Sequence, residues 1–183
     1  GAALAASLLS TQAMAKDPST NGFVGLEIGS TAYDFKAVNQ TTGVSASGDD
    51  TGGSQSLKAG KYLGNAGRIY AVIGRVNADG ADIQSYGLGY DYLIYNSTAL
   101  TPFVGATVGY QSIDIDDTTL DLSGLTYGLE VGVQYDINEK FELELAYRRN
   151  FQSTDDTMII SGQSIKATLE NVGSWYIGAN YKF

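Results

Sequence analysis

The stretch TYGLEVGVQYDI, residues 126 to 137, alternates without a break. Tyr127, Leu129, Val131, Val133, Tyr135 and Ile137 stand against Thr126, Gly128, Glu130, Gly132, Gln134 and Asp136. Successive side chains of an extended chain point to opposite faces, so this period of two specifies a strand with one apolar and one polar face. In GFVGLEIGSTAY (22–33), Val24, Leu26 and Ile28 likewise oppose Gly25, Glu27 and Gly29; in SWYIGANYKF (174–183), Trp175, Ile177, Ala179, Tyr181 and Phe183 share one face. With segments at Ser56–Leu63, Arg68–Val76, Ser85–Tyr95, Pro102–Gln111, Phe141–Arg149 and Asn171–Phe183, the pattern predicts about eight strands. Each is near the ~9 to 11 residues that carry a tilted strand across a bilayer. In Arg68–Val76 the facing stays open, because Ile69, Ala71 and Ile73 compete with Tyr70, Val72 and Val76 for the outer side.

Between these strands long polar segments (Lys36–Gly53, Asn77–Asp82, Ser112–Ser123, Asn150–Ala167) alternate with short turns (Gly64–Gly67, Asn96–Thr98, Asn138–Lys140). That order predicts an up-and-down antiparallel barrel with the long connections at one end and the tight turns at the other. Alternation does not say which face points outward, since a soluble barrel alternates with its apolar side in. Glycine separates the two cases. Gly25, Gly29, Gly60, Gly87, Gly89, Gly105, Gly109, Gly128, Gly132 and Gly178 all fall on the polar face. A solvated face has no use for them, whereas the lumen of a barrel of about eight strands needs small residues to admit larger ones. Tyr90, Tyr92, Tyr110, Tyr127, Tyr135, Tyr147, Tyr181 and Trp175 sit on the apolar face, as amphipathic rings do at a membrane interface.

Composition sets further bounds. The 183 residues, 43% hydrophobic, suffice for one domain; the net charge of −9 speaks against a nucleic-acid partner, and the absence of Cys removes thiol chemistry. Residues 1–15, GAALAASLLSTQAMA, form a short apolar run closing on Ala13-Met14-Ala15, the small-x-small form of a signal-peptidase site. The barrel domain is therefore expected over residues 16–183.

The stretches LTPFVGATVGY (100–110), FELELAYR (141–148) and YKF (181–183) resemble the small outer-membrane β-barrel proteins of Gram-negative bacteria, relatives of the outer-membrane protein A transmembrane domain. The resemblance implies an all-β transmembrane barrel in the cell outer membrane, surrounded by lipid and lipopolysaccharide. It also implies that Ile177, Ala179, Tyr181 and Phe183 form a signal read by the barrel-assembly machinery during insertion.

The enzymes among such barrels that the resemblance brings to mind use a histidine, and this chain has none, so no catalytic role is expected. Glu27, Lys58, Glu130, Glu142, Glu144 and Arg148 lie on the polar faces of their strands and are the candidate site. Charges confined in a narrow lumen must pair or stay hydrated, which predicts a plug of ion pairs. A narrow pore for ions or small solutes is the alternative on the same fold; a soluble lipocalin-like binder of an apolar ligand is the alternative from another class. Asp114, Asp116, Asp117 and Asp121 lack the glycine and closing glutamate of a calcium loop and read as a solvated acidic loop, with no metal or cofactor expected. Met158-Ile159-Ile160 reads as a continuation of its hairpin.

Overall fold

The computed structural model describes residues 21–39, 42–43, 45–64, 66–78, 81–115, 123–152, 155–160 and 163–183. The leader-like segment 1–15 and the acidic residues Asp116, Asp117 and Asp121 lie outside the described residues. For Asp114 and for Met158 to Ile160 the backbone alone is described.

The described residues form nine strands: β1 (Gly22–Asn39), β2 (Ser45–Leu63), β3 (Gly67–Ala78), β4 (Ala81–Leu93), β5 (Leu100–Ile115), β6 (Gly124–Asp136), β7 (Phe141–Gln152), β8 (Asp155–Ile160) and β9 (Gln163–Lys182). Each of β1 to β6 pairs antiparallel with the next, β7 pairs with β9, and β9 returns to β1. β7 covers the later part of β9, from Asn150↔Val172 to Phe141↔Tyr181, while β8 covers the earlier part, from Asp155↔Thr168 to Ile160↔Gln163. β7 and β8 thus lie end to end along one edge of β9, and the wall is a closed eight-stranded up-and-down barrel. The seam is tied by Gly22 N–H donating to Phe183 O at 3.0 Å and Phe183 N–H donating to Gly22 O at 2.9 Å.

The tight turns at one end carry recognisable chemistry. Gly64 takes φ 59°, a conformation a side chain disfavours. Asn96 Oδ1 accepts from Thr98 N–H at 2.8 Å, and Asn138 Oδ1 accepts from Lys140 and Phe141 N–H at 2.9 Å, the local side-chain bonds that make asparagine a turn former.

At the other end the expected regular alternation of long and short connections is not kept. Much of Lys36–Gly53 is strand, with β1 and β2 pairing as far as Val38↔Ser45, and Asp79 and Gly80 alone separate β3 from β4. Gly, Ser and Asp residues that read as loop in isolation continue a strand once a partner supplies the ladder. Propensity here yields to pairing context.

The apolar face points outward. Leu129 and Val131 are 61% and 55% exposed, against 4% for Glu130 between them. On β3 the competition resolves with Ile69 and Ile73 outside and Arg68 and Tyr70 inside. Tyr90, Tyr92, Tyr110, Tyr127, Tyr181 and Trp175 face out, some in ring pairs such as Tyr147–Trp175 at 5.1 Å and Phe141–Tyr181 at 5.2 Å. A lipocalin-like barrel requires the reverse arrangement, so that alternative falls: among the described residues the outward face is apolar and the lumen holds the buried charges Glu27, Lys58, Arg68, Asp91, Glu130, Glu142 and Glu144.

Candidate functional site

The lumen is filled by side chains from every wall strand, and glycines make the room. Tyr70 lies in register between Gly60 on β2 and Gly89 on β4; a Cβ at Gly89 would run into the Tyr70 ring, and one at Gly60 into the Ile69 carbonyl and the root of the Tyr70 side chain. A Cβ at Gly105 would meet the Asp91 carboxyl, and one at Gly25 the amide of Asn180. Large polar residues therefore reach across a barrel of this size only because their neighbours have no side chain.

Lys58 on β2 lies 2.9 Å from Glu27 Oε1 on β1 and donates to Glu144 Oε1 on β7 at 2.8 Å. Arg148 on β7 donates through Nε to Glu130 Oε2 on β6 at 2.7 Å, and its Nη1 stands 3.5 Å from Glu27 Oε2. The six candidate residues are thus all inside, and five of them form one chain, Glu144–Lys58–Glu27–Arg148–Glu130. Glu142, the sixth, sits nearer the turn end, where Tyr62 donates to both its oxygens at 2.7 and 2.8 Å and Gln134 and Asn180 each donate at 2.8 Å.

Several members of the network were not among the residues singled out from sequence. Arg68 is wholly buried; its Nε donates to Asp91 Oδ2 at 2.5 Å and its Nη1 to Glu144 Oε2 at 2.8 Å, with Glu142 at 3.4 Å. Phe23, Tyr70 and Phe103 surround its guanidinium with ring centroids at 5.6, 5.7 and 4.9 Å. Tyr70 donates to Glu130 at 2.5 Å, and Lys182 reaches Asp136 at 2.5 Å and Glu142 at 3.5 Å. Arg68 escaped because apolar residues alternate on both faces of β3. Asp91 and Lys182, by contrast, follow the rule that sets Tyr90, Tyr92, Tyr181 and Phe183 outward.

Many of these contacts span the barrel. Arg68 and Tyr70 start on β3 and reach β7 and β6, and Lys58 and Tyr62 start on β2 and reach β7. Above them, toward the long-hairpin end, lies a cavity of about 100 Å³ lined by Thr31, Ser54, Ser85, Gln111 and Asn150, with Glu27 and Arg148 also on its wall. Such a site can hold water and small polar groups, but its carboxylates are engaged: Glu130, Glu142 and Glu144 each accept from two or more side chains, and Glu27 lies against Lys58.

A family model described as the outer membrane protein beta-barrel domain matches residues 1–183. No curated protein sequence is a match for the chain. Among solved structures, the outer membrane protein OprG from Pseudomonas aeruginosa superposes with a TM-score of 0.64 at 18% identity, covering 90% of this chain and 97% of OprG. Neisserial surface protein A superposes at 0.61 with 19% identity, over 86% of this chain and 97% of its own. Outer membrane protein H (OprH) from P. aeruginosa, solved in DHPC micelles, gives 0.60 with 21% identity, over 89% and 99%. At these identities the likeness is one of fold. The closed barrel with its apolar face outward, matched by the family model over its whole length, places the chain in the outer-membrane protein beta-barrel family, with the outer membrane as its location.

Proposed function

We propose that this barrel is a structural and surface-display protein whose lumen is plugged by ion pairs. The carrying observation is the set of cross-lumen contacts, above all Lys58 to Glu144 at 2.8 Å and Arg68 to Glu144 at 2.8 Å, which tie opposite walls together. Breaking one partner of a buried pair costs about 3–5 kcal/mol because it strands the other charge, so such ties resist opening. Among the described residues, Glu130, Glu142 and Glu144 are committed to cations, hydroxyls and amides, which favours a structural over a catalytic reading of the lumen.

In this reading residues 1–15 serve as the export leader, lipid and lipopolysaccharide surround the apolar band, and the paired hairpins display polar sequence above it. Ile177, Ala179 and Tyr181 are presented together on the outer face of β9, with Phe183 just past its end, where the barrel-assembly machinery reads them during insertion; their exposure supports this role. Planar-bilayer recording tests the plug. The parent protein is expected to conduct little or nothing, and conductance like that of a wide general porin would overturn the reading.

A further inference from the structure

We infer that the lumen is closed twice in series, by two tiers of different construction, and that the lower tier, centred on Arg68, keeps the barrel shut when the upper one is broken. This inference rests on the plug reading.

The tiers separate by strand position. Glu27, Lys58, Glu130 and Arg148 lie well inside their strands and form the upper tier, with the Tyr70 and Tyr176 hydroxyls on Glu130 at 2.5 and 3.2 Å. Phe23, Arg68 and Glu142 are each the second residue of β1, β3 and β7, and Lys182 is the last of β9, so the lower tier sits against the tight turns. Glu144 joins the two, accepting from Lys58 on one oxygen and from Arg68 on the other.

Their chemistry differs. Of the charged residues, the cavity wall includes Glu27 and Arg148 from the upper tier but none of Arg68, Asp91, Glu142 or Lys182. The upper tier therefore borders polar space through Glu27 and Arg148, with Lys58 and Glu130 set behind them. The lower tier is enclosed by the apolar bodies of Phe23, Leu93 and Phe103, which are 0%, 2% and 0% exposed. Aromatic faces flank the upper cations too, with Arg148 4.7 Å from the Tyr176 centroid and Lys58 5.0 Å from that of Tyr70, so the cavity makes the difference. A charge pair bordering polar space is readily hydrated, whereas Arg68, which does not border it, is held in a dry seal. A path with two obstructions in series passes solute only as fast as the tighter one allows. Loss of the upper tier deepens the cavity without opening the barrel.

The absence of Cys gives a clean background for mapping the barriers. Single cysteines are placed at Ser85 in the cavity, at Ala146 between Glu144 and Arg148, and at Ala99 beside the tight turns. A membrane-impermeant maleimide is then added from the hairpin side of the reconstituted barrel. In the parent, Ser85→Cys is expected to label while Ala146→Cys and Ala99→Cys do not. With Arg148→Gln added, Ala146→Cys labels, Ala99→Cys stays protected, and bilayer conductance remains that of the parent. Adding Arg68→Gln to Arg148→Gln is expected to raise conductance at least ~tenfold and to expose Ala99→Cys. Labelling of Ala99→Cys in the Arg148→Gln barrel, or conductance of that single variant equal to the double, would show one barrier and overturn the inference. Porin-like conductance of the parent would instead remove the plug reading beneath it. Should Arg68→Gln fail to fold, the Arg148→Gln labelling pattern decides, since it leaves the lower tier intact.

Discussion

Tyr70 shows how little freedom the lumen leaves at single positions. Its hydroxyl reaches Glu130 at 2.5 Å because Gly60 and Gly89 stand beside it in register. Gly89→Val should push the ring aside and take the Tyr70 hydroxyl from Glu130, which keeps Arg148 and Tyr176, with an overpacking cost of about 1–3 kcal/mol. Gly53 has nothing within 4 Å of where a Cβ would be, so Gly53→Val on β2 should be nearly neutral. Urea midpoints of the two variants in lipid vesicles check this; equal shifts would mean that the glycines do not act by making room. Residue by residue, alternation carries much of the site. Glu27, Glu130, Glu142 and Glu144 are legible as inward charges, and so on the same rule is Asp91, flanked by two outward tyrosines. Arg68 is not legible, because apolar residues alternate on both faces of β3 and the side that faces lipid is set by the partners Tyr62 and Asp91 across the ladder. Partner choice is also beyond sequence, as it depends on which walls the barrel brings within reach.

For a strand the decisive property is its facing, and β6 is the place to test it. Val131 is 55% exposed toward the bilayer and Gln134 is 2% exposed inside, where it donates to Glu142 at 2.8 Å. An arginine on the lipid face near mid-bilayer costs about 2–4 kcal/mol. Val131→Arg should accordingly lower the folded yield in bilayers more than Gln134→Arg, whose new guanidinium arrives beside a carboxylate. Equal yields would reverse the facing of β6. Strand existence was legible wherever the period of two was clean, but strand length was not. β1, β2 and β9 run on through Gly-, Ser- and Asp-containing segments that carry no strand signal of their own, and what extends them is the partner strand: Asp34 pairs with Asp49 on one side and Asn171 on the other.

A barrel differs from an open sheet in having no free edge, and in this molecule that property depends on the β1–β9 seam. An unpaired row of backbone groups facing hydrocarbon has no water to satisfy it, so an open seam would cost several kcal/mol per group and the barrel must close to reside in a membrane. β1 pairs with β2 from Gly22↔Lys61 and with β9 from Phe23↔Lys182, so its amides are enclosed by ladders on both sides. At its start Gly22 is bonded to Phe183 in both directions, and a Cβ on Gly22 would come within 2.8 Å of the Phe183 ring, tighter than real side chains approach. The glycine is thus the seat on which that ring lies. Hydrogen exchange in lipid vesicles should find the amides of Leu26 and Ile28 on β1 as protected as those of Val104 and Ala106 on β5, which no seam touches. Gly22→Val should lift the ring, speed exchange in the first residues of β1 and the last of β9, and leave β4 and β5 unchanged. Fast exchange of β1 in the parent would show that the seam is open, and uniform loosening of the whole wall in Gly22→Val would show that the seat does not act locally.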